Sequence, residues 1–119
     1  PEETDWEHST LRAWLNSTFY MEAFDKEERG WIKRTTIENK DNMIYSTFAG
    51  NGTEDRVFLL SSYEANKLLS SKAASDWWWL RSPGVKENYA SRISSDGKFL
   101  PRGEFTTKSG GVRPAIWVN

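Results

Sequence analysis

The sequence contains no cysteine. Disulfide scaffolding, thiol nucleophiles and thiolate metal ligands are therefore excluded. Histidine is almost as scarce: His8 is the only one, in the acidic lead-in to a predicted helix. A serine triad would need that imidazole beside a serine and an acid, and no motif supplies the arrangement. His8 reads as an exposed residue near a helix cap. No apolar run approaches the length of a transmembrane helix, and no signal peptide is visible. A surplus of one charge is also missing, with 16 Lys+Arg against 17 Asp+Glu, a net charge of −1 and no long run of one sign. That argues against nucleic acid or an anionic membrane surface as a general partner. No motif calls for a cofactor.

What the chain has instead is aromatic area. Hydrophobic residues make up only 37%, yet 7 Trp, 6 Phe and 4 Tyr are among them. Each aromatic buries about 150–250 Å², so a core small in residue count can still be large in area. The 119 residues suit one domain spanning 1–119. The aromatics peak at Asp76-Trp77-Trp78-Trp79-Leu80-Arg81-Ser82-Pro83-Gly84. Successive side chains of an extended segment alternate in direction. Three consecutive tryptophans therefore put indole on both faces, the mark of a strand packed above and below. Arg81 brings a fixed charge to its end, and Ser82-Pro83-Gly84 turns the chain away.

Short helices precede this strand. Ser9 or Thr10 caps the first, whose face carries Leu11, Trp14, Leu15 and Phe19. Asn16-Ser17-Thr18 is expected to break it and cap a second. Asp25-Lys26-Glu27-Glu28 and Ser61-Ser62-Tyr63-Glu64 have the form of capping boxes. Trp31 and Ile32 are expected to pack back after the first box, and Ala65, Leu68 and Leu69 to face inward after the second. Residues 33–38 read as a strand near an edge, 39–55 as a long polar loop and 57–60 as a short buried strand. After the tryptophans, strands are expected over 89–93 and 98–100, joined by the Ser94-Ser95-Asp96-Gly97 turn. A bend at Pro101-Arg102-Gly103 and a last strand over 112–118, marked as an edge or bulge by Pro114, complete the chain. Helices first and antiparallel strands after make the fold class α+β.

Four stretches together carry a resemblance: Leu11-Arg12-Ala13-Trp14-Leu15-Asn16, residues 53–61, Trp78-Trp79-Leu80-Arg81-Ser82-Pro83-Gly84 and Gly111-Val112-Arg113-Pro114-Ala115-Ile116-Trp117, with a Ser-Asp-Gly turn between the last two. From about Trp6 to Asn119 the chain resembles an uncharacterised bacterial domain family, abundant in gut bacteria and often found in surface or secreted proteins. The order of aromatic strand, hairpin and Gly-Val-Arg strand is similar to C-type-lectin-like folds. The variable proteins of bacterial diversity-generating elements and the formylglycine-generating enzymes share that scaffold, although the cysteine chemistry of the latter is excluded here. The resemblance implies a twisted, mainly antiparallel sheet, an extracellular or cell-surface location and a ligand face in the C-terminal half. Strands expected before the first helix are absent from the sequence, which would leave a strand edge open to pairing or self-association.

The stretch from Ser82 to Arg102 carries the richest mixture of polar and aromatic side chains on predicted turns. Lys86, Asn88, Tyr89, Arg92, Lys98 and Arg102, with Glu87 among them, are the candidate ligand-binding residues. Trp77, Trp78 and Trp117 could also stack on a sugar, but most tryptophans in so polar a chain belong to the core. Trp77, Trp79, Arg81, Arg113, Glu54 and Asp55 are read as structural. A buried Arg81 or Arg113 needs a carboxylate, and Glu54 or Asp55 is expected to provide it. Asp41, Asn42, Asn51, Glu54 and Asp55 offer the oxygen ligands calcium takes. Their spacing matches no EF-hand, and the Glu-Pro-Asn motif of true lectins is missing, so the loop reads as solvated and no metal site is assigned.

The expected fold is therefore a C-type-lectin-like α+β domain with its sheet centred on Trp77 to Leu80. The expected function is non-catalytic recognition of a protein or glycan. Two alternatives stand beside it. One is an assembly domain that uses an open strand edge. The other is a hydrolase fragment, which would need two carboxylates facing each other about 5–10 Å apart.

Overall fold

The computed structural model describes residues 5–42, 44–69, 71–86 and 88–118. The tryptophan run enters a strand at its second indole. That strand, β3 (Trp78–Pro83), follows β1 (Thr35–Ile37) and β2 (Thr53–Asp55) and precedes β4 (Tyr89–Ile93) and β5 (Phe99–Phe105). Trp78, Trp79, Leu80 and Arg81 are all buried. Alternation divides them as expected. Trp78 and Leu80 pack with Ala65 and Ile93, whereas Trp79 joins Trp6, Leu15, Ile37, Val57, Phe58 and Leu59. The strand thus separates two apolar clusters and belongs to both. Trp77 precedes it, half-buried, edge-on to Trp79 with ring centroids 4.9 Å apart.

The sheet is antiparallel in the order β3-β4-β5, so its middle strand is β4 and not the tryptophan strand. The outer edge of β3 is still occupied. Arg81 N–H donates to the Leu60 carbonyl at 3.0 Å, and Trp79 N–H to that of Gly111 at 3.0 Å. Irregular chain does here what a fourth strand would do.

Both outer strands bulge against the same part of β4. From Trp79 to Pro83 is four steps, facing the two from Arg92 to Ala90. From Leu100 to Glu104 is again four, facing Arg92 to Ala90. The bend expected at Pro101-Arg102-Gly103 is this bulge inside a continuous β5. Gly103 carries it at φ 72°, and a Cβ there would stand 1.8 Å from the Ala90 carbonyl oxygen.

The first helix is α1 (Thr10–Trp14), capped by the Ser9 hydroxyl, which accepts from Arg12 N–H at 3.2 Å. Asn16-Ser17-Thr18 does not break it. The chain widens into a π-helical turn, Leu15–Phe19, and runs on as α2 (Tyr20–Ala23). Asn16 supplies the compensation. Its amide nitrogen donates to Val57 O at 2.7 Å, and its oxygen accepts Arg56 N–H at 2.7 Å and Val57 N–H at 2.9 Å. A side chain that satisfies a distant backbone segment favours the wider turn that aims it there. Both capping boxes form, starting α3 (Lys26–Trp31) and α4 (Ser62–Leu68).

β1 pairs antiparallel with β2, so part of the expected polar loop is a strand. Residues 57–60 and 112–118 are not strands. They meet through single bridges, Phe58 with Ala115, and likewise Ile32 with Val118 and Trp78 with Gly111. Pro114 has no N–H to continue a ladder. Trp31, Leu68 and Trp117, expected to pack inward or extend a strand, are substantially exposed. Among the described residues no helix is long and apolar enough to cross a membrane.

Candidate functional site

Asp55 organises the N-terminal side of the larger cavity. It is buried on β2 and accepts three bonds: Arg12 Nε at 2.7 Å, Trp6 Nε1 at 3.0 Å and Thr53 Oγ1 at 2.9 Å. These bonds fasten the lead-in, Trp6 to Arg12, against the sheet. Across from it the chain leaves β3 and returns within a few residues. Gly84 N–H donates to Tyr89 O at 2.8 Å, and Tyr89 N–H to Lys86 O at 3.0 Å. Gly84 is required here, because a Cβ would lie 2.4 Å from the Arg102 carbonyl oxygen. Tyr89 leans on Phe105 with ring centroids 4.3 Å apart.

Between these two segments lies a cavity of about 660 Å³. Its apolar walls include Trp6, Leu11, Phe48, Trp79 and Tyr89, and its polar groups include Ser9, Lys86 and Asn88. An apolar, aromatic surface with a few convergent polar groups is the usual make-up of a binding cavity. Among the described residues Asp5 is its only carboxylate, so no acid pair faces across it.

Arg81 also contributes to the lining; it is buried, with acceptors on every side. Its Nη1 donates to Leu59 O at 2.8 Å and to the Glu64 carboxylate. Nε donates to Asn39 Oδ1 at 3.0 Å, and Nη2 to Glu38 O at 3.0 Å. Burial alone would raise the Glu64 carboxyl. The Arg81 hydrogen bond, the Ser61 amide and the Arg81 charge outweigh it and hold the group below its ordinary value. Glu64 thus closes a capping box and neutralises Arg81 together.

That corrects the expectation for Glu54 and Asp55, neither of which meets Arg81 or Arg113. Glu54 is exposed and paired with Arg34 at 3.1 Å. Arg113 lies over the Trp78 ring, 4.5 Å from its centroid, with Nη1 buried and without a hydrogen-bond partner among the described residues. The indole face takes the place of a carboxylate.

The six candidate binding residues divide. Lys86, Asn88 and Tyr89 line the cavity. Arg92 is half-buried over Trp77, 4.9 Å from the ring centroid. Lys98 projects from the hairpin beside Asp96 at 3.8 Å, and Arg102 is exposed on β5. Neither lines the cavity. Glu87 lies outside the described residues. Trp6, Ser9, Leu11 and Phe48 also line the cavity, and none of them was expected from the sequence as a binding residue. Phe48, a large apolar residue inside a polar loop, was the available signal.

The oxygen ligands of residues 41–55 do not converge. Asp41 accepts Ala49 N–H at 2.9 Å. Asn42 is buried, not solvated, and all its bonds are used. It donates to Pro83 O and Pro101 O, each at 2.9 Å, and accepts Ile44 N–H at 2.9 Å and Tyr45 N–H at 3.1 Å. Ser91 Oγ also reaches Pro83 O at 2.8 Å. Asp5, Glu7 and His8 do bring ligand atoms within 4.8 Å of one another at the surface. His8 Nδ1 there is 2.7 Å from Asp5 Oδ1, and that bond, then the negative charge of Asp5 and Glu7, raises the imidazole above its ordinary value.

These features define an α+β domain whose bulged antiparallel sheet carries a cavity walled by its own N-terminal lead-in. The chain belongs to the family described as Domain of unknown function (DUF6273), which matches residues 1–119. No curated protein and no solved structure matches it.

Proposed function

We propose that this is a non-catalytic recognition domain of a bacterial surface or secreted protein, receiving a protein or glycan ligand in the 660 Å³ cavity. One observation carries the reading. Lys86, Asn88 and Tyr89, adjacent on the turn after the tryptophan strand, meet Phe48 and Trp6 from distant segments at one concave surface. Phe48 and Tyr89 offer ring faces for sugar C–H groups or apolar side chains, and Lys86 and Asn88 offer hydrogen bonds. The wall is rigid because Asp55 and Arg81 fix its two sides, and binding residues held on a rigid scaffold are the common arrangement. A C-type-lectin-like scaffold is part of the proposal. Helices before an antiparallel sheet, and a covered tryptophan strand leading into the ligand-bearing turn, support it.

A glycan array and a protein-partner screen test the proposal, with Asn88→Ala, Lys86→Ala and Phe48→Ala as variants. Truncating a central contact costs about 2 kcal/mol, roughly thirtyfold in Kd. The variants should lose binding while unfolding at the wild-type denaturant concentration. A ligand whose affinity survives all three would overturn the assignment to this cavity.

A further inference from the structure

A second concavity, about 620 Å³, adjoins the first at Arg81 and Ser82. One wall is β1 with Glu38 beyond it, and the other is α4 with Ser61 before it. Ile44, Phe99 and Trp117 contribute to the remainder. Two independent observations meet there.

The first is an open strand edge. β1 is paired with β2 on one side only. Among the described residues no other backbone hydrogen bond reaches Thr35, Thr36 or Ile37. The outer edge of β3 is bonded by Leu60 and Gly111, whereas the second edge of β1 has no backbone partner among the described residues, and Thr35, Thr36 and Ile37 all line the cavity. Such an edge is a template for one more strand.

The second is the chemistry of the rest of the lining. Ile44, Tyr63, Leu68, Phe99 and Trp117 are all exposed, apolar and part of this one cavity. Lys40 and Lys67 both approach the Tyr63 ring, their ammonium groups 5.3 and 5.7 Å from its centroid. Neither has an ion-pair partner among the described residues. Of the acids in the lining, Glu64 is paired with Arg81, Asp41 bonds the Ala49 amide and Glu38 is exposed. Two ammonium groups therefore stand at the Tyr63 ring, in a lining that also carries exposed apolar side chains.

We propose that this cavity is a β-augmentation site: an extended peptide of another protein adds to β1, sets alternate apolar side chains against Tyr63, Phe99 and Trp117, and brings a carboxylate to Lys40 and Lys67. Extended peptides commonly use a free edge this way, with backbone bonds giving affinity and alternate side chains giving specificity. A second copy of this chain pairing β1 to β1 fits less well, since Thr35-Thr36-Ile37 has no alternating apolar residues to set against Tyr63, Phe99 and Trp117. The site adjoins the cavity of Lys86 and Asn88 at Arg81 and Ser82 and is otherwise lined by different residues.

A displayed library of random heptapeptides, selected on the intact domain, tests the proposal. Enriched peptides should alternate apolar residues and carry an acid at one end. Bound to the domain, they should slow amide hydrogen exchange of Thr35–Ile37. N-methylation at alternate peptide residues should weaken binding by at least about tenfold, because it removes the bonding edge and keeps the side chains. Lys40→Glu with Lys67→Glu should weaken it by about tenfold at low salt, whereas Lys86→Ala should leave it unchanged. Four outcomes would overturn the proposal: no enrichment, enriched peptides whose N-methylated forms bind equally well, protection of β1 produced by an oligosaccharide panel instead, or protection that appears with self-association of the domain alone.

Discussion

Replacing Glu64 by glutamine isolates the charge that Arg81 depends on. The amide keeps an oxygen for Ser61 N–H, which Glu64 now bonds at 2.9 Å, so the helix cap survives. What disappears is the negative charge beside a guanidinium whose side chain is only 3% exposed. Breaking a fully buried pair costs about 3–5 kcal/mol. Two things reduce that here. Glu64 retains 24% exposure, and Arg81 keeps Asn39 and two backbone carbonyls as acceptors. The expected loss is about 2–3 kcal/mol at neutral pH, read as a lower urea midpoint at constant m-value. The variant also predicts a pH signature. The Glu64 carboxyl is lowered in the folded state, so its contribution is complete above the unfolded value, about 4.3, and is lost as pH falls through the folded value. Wild type and Glu64→Gln should therefore differ constantly near neutrality and converge under acid. A loss below about 0.5 kcal/mol, within the range of an exposed pair, would refute the reasoning. So would a gap that stays constant down to about pH 3.

Asp55→Asn should destabilise by about 2–3 kcal/mol, since it leaves the half-buried Arg12 beside a neutral group; Glu54→Gln, at the exposed pair with Arg34, should cost less than about 0.5 kcal/mol in the same urea titration. Gly103→Ala should cost at least about 2 kcal/mol or prevent folding, because its Cβ cannot share space with the Ala90 carbonyl; an unchanged thermal midpoint would remove the bulge from the account. Asn42→Ala should cost about 2–3 kcal/mol by leaving the Pro83 and Pro101 carbonyls with Ser91 Oγ alone and the Ile44 and Tyr45 amides without their acceptor, and amide exchange should rise first in β5. His8 should titrate above its ordinary value by NMR and return toward it in Asp5→Asn.

Much of the local structure was legible. The capping boxes at Asp25 and Ser61 are short-range patterns whose partners lie three residues away. The turn at Gly97, with φ 92°, is equally local. The tryptophan run announced two packed faces because a period of two needs no knowledge of neighbours. Distant partners were not legible. Charge alone made Glu54 and Asp55 fair candidates for Arg81, but the chain brings α4 to β3 and Glu64 arrives first. The cap Glu64 forms with Ser61 explained that residue fully at the local level and concealed its second use. Asn16 misled similarly, since its bonds to Val57 depend on a contact 41 positions away. The candidate site was half visible. Lys86, Asn88 and Tyr89 stood out as polar and aromatic residues on a turn, whereas Trp6 and Ser9 reach the cavity only because Asp55 draws the lead-in across the sheet.

The bulges beside β4 have a further consequence. Asn42 holds Pro83 and Pro101, one from each outer strand, in a single side-chain grip. The segment carrying Asn42 reaches the second cavity through Lys40 and Ile44 and the first through Phe48 and Ala49. One piece of chain is thus a party wall between two rooms, pinned at its midpoint to the sheet that floors both. An occupant of either cavity that shifts this wall changes the shape of the other, and linkage makes any such effect equal in both directions.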